Sequence, residues 1–205
     1  MNTLYLVGLG NHGDKYKNTR HNAGYELVDY FVSHYELPQW HRSKISMGLV
    51  TDGVYSGKRV VALLPETFMN LSGQAVRGLY KEFPFEGGVK TDDLIVVHDD
   101  LALPFGTIKI SRSRGDGGHN GVRSIMQNLG HKDFVRIRFG IEPRVQQTDE
   151  EFSARVYNLT NVPDFVLKPF TADELTKFKE LKQVFAEILN VVLSDGVDVA
   201  MNRFN

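Results

Sequence analysis

The hydrophobic pattern of this chain switches period repeatedly, and that switching limits what it can fold into. An unbroken apolar run from Leu4 to Leu9, closed by Gly8 and Gly10, reads as a buried first strand. From Asn22 onward Leu27, Val28, Phe31, Val32 and Tyr35 recur at helical spacing. Ile45 to Val50 and Arg59 to Leu64 read as strands joined at Ser56-Gly57, an antiparallel hairpin. Leu71 to Phe83 reads as a helix ended by Pro84, Gly87 and Gly88. Leu94 to Val97 is a short central strand, with His98-Asp99-Asp100 at its end. Thr107 to Ser111 and Val135 to Ile141 are further strands, separated by a Gly-rich loop and a helix from about Gly121 to Leu129. Thr171 and Glu174 have capping-box spacing before a long helix with Leu175, Phe178, Leu181, Phe185, Ile188, Leu189 and Val192 on its apolar face. Such alternation is the mark of the α/β class. A hairpin within it makes the sheet mixed. The expectation is one globular domain over residues 1–205, a mixed, mostly parallel central sheet flanked by helices in three α/β/α layers.

There is no cysteine, which excludes disulfides, thiolate zinc sites and a cysteine nucleophile. No apolar stretch approaches membrane-spanning length, and the chain enters its first strand without a basic-then-apolar leader, so a cytoplasmic protein with no membrane partner is expected. The formal net charge is −1, but the charges are unevenly placed. Lys109, Arg112, Arg114, Arg123, Lys132, Arg136, Arg138 and Arg144 outnumber Asp116, Asp133 and Glu142, and Lys15, Lys17 and Arg20 form a second basic group. The stretch from Asp149 to Glu187 leans acidic. A local basic face on a neutral protein can bind phosphates by counterion release; an ordinary solvated surface is the alternative.

Four polar clusters stand at strand or helix ends, where α/β sheets bind ligands. His21, within Thr19-Arg20-His21-Asn22-Ala23-Gly24, sits where the first connection turns into a helix, with Asn11 and Tyr16 just upstream. It has the makings of a general base near neutral pH; a helix-capping role is the simpler alternative. Asn70, in Phe68-Met69-Asn70-Leu71-Ser72-Gly73, precedes a helix and taken alone reads as its N-cap. Asp99 or Asp100 can orient an imidazole, and only one of them faces the site if the strand continues that far. Gly115-Asp116-Gly117-Gly118-His119-Asn120-Gly121 opens a helix after a strand, as an anion-binding turn, a lid carrying Asn120, or merely a tight turn. No metal-site spacing as specific as H-E-x-x-H is present, and no G-x-S-x-G elbow. With His21 as base, Asp99 as its orienter and Asn11, Asn70 and Asn120 as amide donors to an oxyanion, the set suits ester hydrolysis by water.

Taken together, Gly8-Leu9-Gly10-Asn11 through Gly24, Thr67 to Gly73, His98-Asp99-Asp100-Leu101 and Gly117 to Gly121 resemble the bacterial-type peptidyl-tRNA hydrolases, in order and spacing. The similarity continues through Arg136 to Ile141 and Asp164 to Leu167, across nearly the whole chain. The resemblance implies a monomeric α/β globule with a mixed central sheet. It further implies an enzyme that cleaves the ester joining a peptide to the terminal ribose of tRNA, recycling tRNA from abortive translation, with no metal or cofactor and no DNA partner. It implies that His21 is the base, that Asp99 supports it, and that Asn11 helps distinguish peptidyl from free aminoacyl esters. Tyr16, Phe68, Asn70 and Asn120 match positions that contact the tRNA end or peptide, with Met69 in the same wall. Lys109 and Arg138 fall where basic residues clamp phosphates. Two positions depart from the pattern: His12, where the family usually has proline, and Asp116, in a loop that is commonly neutral. A catalytically inactive RNA-binding protein on the same fold and a metal-dependent peptidase of similar layout are the rival readings.

Overall fold

The computed structural model describes residues 3–84, 90–142 and 162–205. Gly87, Gly88, Arg144 and Asp149, which entered the sequence reading, lie outside them. Strands β1 (Thr3–Gly8), β2 (His41–Ser43), β3 (Gly48–Tyr55), β4 (Lys58–Pro65), β5 (Leu94–Pro104), β6 (Ile108–Arg112) and β7 (Val135–Glu142) form a sheet of order β2-β3-β4-β1-β5-β7-β6. β1 pairs in parallel with β4 and β5, and β5 in parallel with β7. The β2–β3, β3–β4 and β6–β7 pairs are antiparallel. Thus β3 and β6 run against the other strands, and the sheet is mixed, as the hairpin required.

Helices α1 (Ala23–His34), α2 (Ser72–Glu82), α3 (Asn120–Leu129), α4 (Val162–Leu167), α5 (Ala172–Ser194) and α6 (Val197–Phe204) cover both faces. Leu4 and Leu6 of β1 pack with Leu27, Phe31, Phe178 and Phe185 on one side. Tyr5 and Val7 pack with Val76, Leu79, Val122 and Ile125 on the other. A central strand buried on both faces reads as a continuous apolar run, which is why β1 shows no alternation. The capping box at Thr171 is formed, with Glu174 Oε2 accepting from the Thr171 N–H at 2.8 Å.

Three boundaries differ from the sequence reading. Ile45 to Met47 form a turn, not the start of a strand, because the Ser46 N–H donates to Ser43 Oγ (3.0 Å) and Met47 has φ 48°. β3 therefore starts at Gly48 and runs on to Tyr55, where Ser56 and Gly57, both with positive φ, make the expected turn. β2 is a three-residue edge strand too short to leave a pattern. β5 continues past Val97 to Pro104, because β7 offers it partners as far as Glu142 across an irregularity after Asp100. His98, Asp99 and Asp100 therefore lie within the strand.

α1 is drawn unusually close to the sheet. A Cβ on Gly24 would fall 2.2 Å from the Val97 carbonyl oxygen, and the Tyr25 N–H donates to Leu9 O at 2.9 Å. Only glycine permits that approach. It sets the turn just before α1, which carries His21, against the end of β5.

Candidate active site

β1, β4 and β5 point their carboxyl ends the same way, while α1 and α2 leave β1 and β4 toward opposite faces of the sheet. A crevice at such a switch point is where α/β sheets bind ligands. Here it is a cavity of about 740 Å³ lined by Asn11, Tyr16, His21, Phe68, Met69, Asn70, Asp99 and Asn120 among others. The fold therefore gathers seven sequence-selected residues (Asn11, Tyr16, His21, Phe68, Asn70, Asp99 and Asn120) around one opening. Lys109 and Arg138 are not among its lining residues.

His21 stands in the short 3-10 turn Arg20–Asn22 ahead of α1. Its Nδ1 lies 2.9 Å from Asp99 Oδ1, so Nδ1–H donates to the carboxylate and Nε2 is left as the basic nitrogen. It does not cap a helix. Strand alternation answers which carboxylate faces the site. Asp99 continues the parity of Ile95 and Val97 and meets His21, whereas Asp100 turns to the other face and pairs with Arg138 Nε at 2.6 Å.

His119 is the group the sequence reading passed over in favour of its neighbour Asn120. It is the N-cap of α3: its Nδ1 accepts from the Gly121 N–H (3.1 Å) and the Val122 N–H (3.3 Å). A nitrogen that accepts twice carries no proton, so His119 donates through Nε2 to the same Asp99 Oδ1, at 3.1 Å. The signal was a polar residue directly before a helical run. The amides expected to cradle an anion are thereby occupied. Gly117 and Gly118 have positive φ, and Asp116 staples the loop by accepting from the Gly118 N–H (2.8 Å) and from Arg123 Nε (3.0 Å).

Burial alone would raise the Asp99 carboxyl, but the two imidazoles beside it hold it well below the usual carboxylate range. For His21 burial works the other way, opposing its charged form, and the Asp99 carboxylate outweighs it, so the imidazole is more basic than usual. Behind them His98, buried at the edge of a smaller cavity, donates from Nδ1 to the Asp99 carbonyl at 2.7 Å and stacks edge-on to His119. Burial, and then His119, push its pKa down to about 3. An unfolded imidazole titrates near 6.5, so the unfolded chain binds a proton that the folded chain refuses. Stability contributed by neutral His98 is thus intact above about pH 6.5 and is lost as pH falls toward 3. Urea midpoints measured across that range should fall with pH less steeply in His98→Asn than in wild type. Equal slopes would acquit His98.

His21, Asp99 and His119 also offer three ligand atoms within 4.8 Å of one another. Both nitrogens that face Asp99 are already hydrogen-bond donors to a single oxygen, so a metal ion there would have to displace both protons. This is a proton-sharing cluster in its geometry.

Around it, Asn11 Oδ1 accepts from the Met69 N–H at 3.2 Å. Asn70 caps neither the 3-10 turn Met69–Leu71 nor α2; it is exposed, as is Asn120, and both line the opening. Phe68, 70% exposed, stands at the rim. The opposite wall comes from Val162, Val166 and Leu167 of α4. Arg20 holds that wall to the turn that carries His21, bonding Pro169 O (3.0 Å) and Glu174 Oε2 (2.6 Å) with its guanidinium over Phe165.

Arg138 borders a smaller cavity of about 230 Å³ with Arg114 and Arg136, which shares Ala102 and Gly117 with the larger one. Lys109 lies opposite Arg138 in the β6–β7 register, but its Nζ donates to Asn205 O at 2.8 Å, outside that cavity. Burial, then Arg138 and Arg114, pull the Arg136 guanidinium down to about 10. Asp100, paired with Arg138, and Asp116 share that lining, so three guanidinium groups face two carboxylates there.

A family model described as peptidyl-tRNA hydrolase matches residues 5–205. Peptidyl-tRNA hydrolase of Citrifermentans bemidjiense is 39% identical over 200 residues, covering 98% of this chain and 96% of the relative. That of Roseiflexus sp. is 38% identical over 201 residues, covering 98% and 84%. The crystal structure of peptidyl-tRNA hydrolase from Acinetobacter baumannii superposes with a TM-score of 0.81 at 29% identity, covering all of this chain and 95% of that one.

Proposed function

This chain belongs to the peptidyl-tRNA hydrolase family, and from that premise we propose that it hydrolyses the ester between a peptide and the terminal ribose of tRNA with His21 as its base. The observation that carries the assignment of roles is the His21 Nδ1–Asp99 Oδ1 hydrogen bond, which leaves Nε2 unprotonated at the cavity. His21 Nε2 takes a proton from water as the oxygen attacks the ester carbonyl. Asp99 stabilises the imidazolium so formed, with His119 fixing the carboxylate from its other side. The side-chain amides of Asn11, Asn70 and Asn120 supply donors for the oxyanion and stay neutral beside a polyanionic substrate. When the tetrahedral intermediate collapses, the acyl carbon–ribose oxygen bond breaks. The imidazolium returns its proton to that oxygen, giving tRNA with a free terminal ribose and a peptide acid, which ionises to the carboxylate by losing its proton to water.

Tyr16, Phe68 and the α4 residues offer apolar surface for the terminal base or the peptide. The enzyme is proposed to act as a cytoplasmic monomer without metal or cofactor, taking peptidyl-tRNA and not DNA. Among the described residues no helix is long and apolar enough to cross a membrane.

Arg138 is assigned to tRNA phosphates together with Arg114, since three arginines against two carboxylates border a cavity that adjoins the larger one. Lys109 is given a smaller share because of its bond to Asn205. Arg114→Ala should raise KM for full-length peptidyl-tRNA and flatten its salt dependence by about one released ion, with turnover at saturation little changed. Lys109→Ala should do the same more weakly. Arg138→Ala also strands Asp100, so its thermal unfolding must be recorded beside its kinetics. The comparison is KM across a salt series on full-length substrate and on the same ester without the tRNA body. Equal losses on both would remove the phosphate assignment.

A further inference from the structure

Asn11 is clamped from two directions. Its N–H donates to Asn22 Oδ1 (2.8 Å) and its carbonyl accepts from Asn22 Nδ2 (3.0 Å). Its own Oδ1 receives the Met69 N–H, so the loop after β1 is joined to the turn after β4 that carries Phe68 and Asn70. A second connection between these two walls runs outside the cavity. His12 Nδ1 lies 3.1 Å from Glu66 Oε1, and Glu66 is the residue that follows β4. Arg42 of β2 grips the same carboxylate, with Nε on Oε2 and Nη2 on Oε1, both at 2.8 Å. The carboxylate is the sheltered member: the Glu66 side chain is 13% exposed, against 52% for His12 and 67% for Arg42.

The other charges bordering this spot have partners of their own. His12 and Glu66 line a cavity of about 410 Å³ on the far side of Asn11, together with Asp14, Lys17, Glu26, Asp29 and Lys182. Lys17 pairs with Asp14 at 2.8 Å, Lys182 with Glu26 at 3.0 Å, and Asp29 accepts from Trp40 Nε1 at 2.8 Å. Neither His12 nor Glu66 borders the catalytic cavity. We propose that His12 is a positioning residue: through Glu66 it straps the Asn11 loop to the Phe68–Asn70 turn, and so sets how tightly the site holds the acyl end of its substrate and how well it rejects a free aminoacyl ester. This rests on the reading of the site given above. Without the strap the Asn11–Met69 bond is, among the described residues, the hydrogen bond left between the two loops, and the Asn11 amide gains freedom to leave the position from which it meets the acyl group.

The test is a double-mutant cycle of His12→Ala and Glu66→Gln, with His12→Gln as the conservative rescue. Kinetics are measured on N-acetyl-aminoacyl-tRNA and on the free aminoacyl-tRNA, and amide hydrogen exchange of Met69 without substrate. A rim hydrogen bond of this kind changes an equilibrium by roughly two- to fivefold. His12→Ala should raise KM for the acylated substrate by about that factor with kcat nearly constant, and narrow the ratio of kcat/KM between the two substrates. Met69 exchange should quicken by a similar factor, His12→Gln should restore most of both, and His12→Ala should add nothing once Glu66→Gln is present. Unchanged KM and Met69 exchange in His12→Ala overturn the proposal, as do additive effects of the two substitutions. A wild-type protein that fails to turn over either ester would sink the functional reading instead, while Met69 exchange would still decide for or against the strap.

Discussion

His21→Ala should lose roughly 10²–10⁴-fold in turnover of peptidyl-tRNA, the usual contribution of a general acid–base group, while binding tRNA about as well as wild type. The separation follows from where the groups lie. His21 is nearly enclosed, 12% exposed, against Asp99 and His119, whereas Arg114 and Arg138, assigned to phosphates, border the neighbouring cavity. Alanine removes the basic nitrogen that the Asp99 hydrogen bond leaves at the opening and keeps Asp99 with His119 as its partner, so the fold retains a paired carboxylate. Single-turnover rates and filter-binding affinity for the same N-acetyl-aminoacyl-tRNA measure the two properties separately. Near wild-type turnover would remove His21 as base, and a parallel collapse of affinity would mean the substitution had damaged the site as a whole.

Asp99→Asn should cost on the order of 10²-fold or more and should also move the pH profile. The asparagine Oδ1 can still accept from both imidazoles, so the geometry survives while the charge that stabilises the His21 imidazolium is gone. In the wild type the carboxylate outweighs burial and raises the His21 pKa. Activity needs neutral Nε2, so kcat/KM should climb with pH through a limb lying above the ordinary imidazole value. Without the carboxylate, burial acts alone and favours the neutral ring. The limb should then shift to lower pH even as the maximal rate falls. Asp100→Asn should leave the limb where it is, because Asp100 faces Arg138. A larger loss in Asp100→Asn than in Asp99→Asn would reverse the assignment of the two carboxylates.

Much of this was legible before any coordinates, for reasons that can be named. β1 is buried on both faces, and its unbroken apolar run said so. The capping box at Thr171 is local chemistry between residues three apart, and it formed as read. The positions of His21, Asn70 and Asn120 at the starts of helices could be read because α/β connections put such residues at one edge of the sheet. What could not be read depends on residues distant in the chain. The extension of β5 past Val97 is supplied by β7, some forty residues on, and only that extension decides that Asp99 and not Asp100 meets His21. Asn70 taken alone reads as an N-cap, yet its side chain bonds no helix amide. His119 was hidden by its position beside an asparagine, and its bond to Asp99 joins the cap of α3 to strand β5, twenty residues away in the chain. Lys109 fell in the most basic stretch of the chain, but the C-terminal residue Asn205 takes its ammonium.

The central claim is that this chain hydrolyses peptidyl-tRNA by water activated at His21. The most direct measurement is the release of tRNA and acyl-amino acid from a defined N-acetyl-aminoacyl-tRNA by the purified protein, with and without chelator, beside a free peptide of the same sequence. The account predicts cleavage of the ester at a rate unaffected by chelator, and no cleavage of the peptide. Binding of the tRNA with the ester left intact would identify an RNA-binding protein on the same fold and contradict the account, and loss of activity with chelator would contradict it equally.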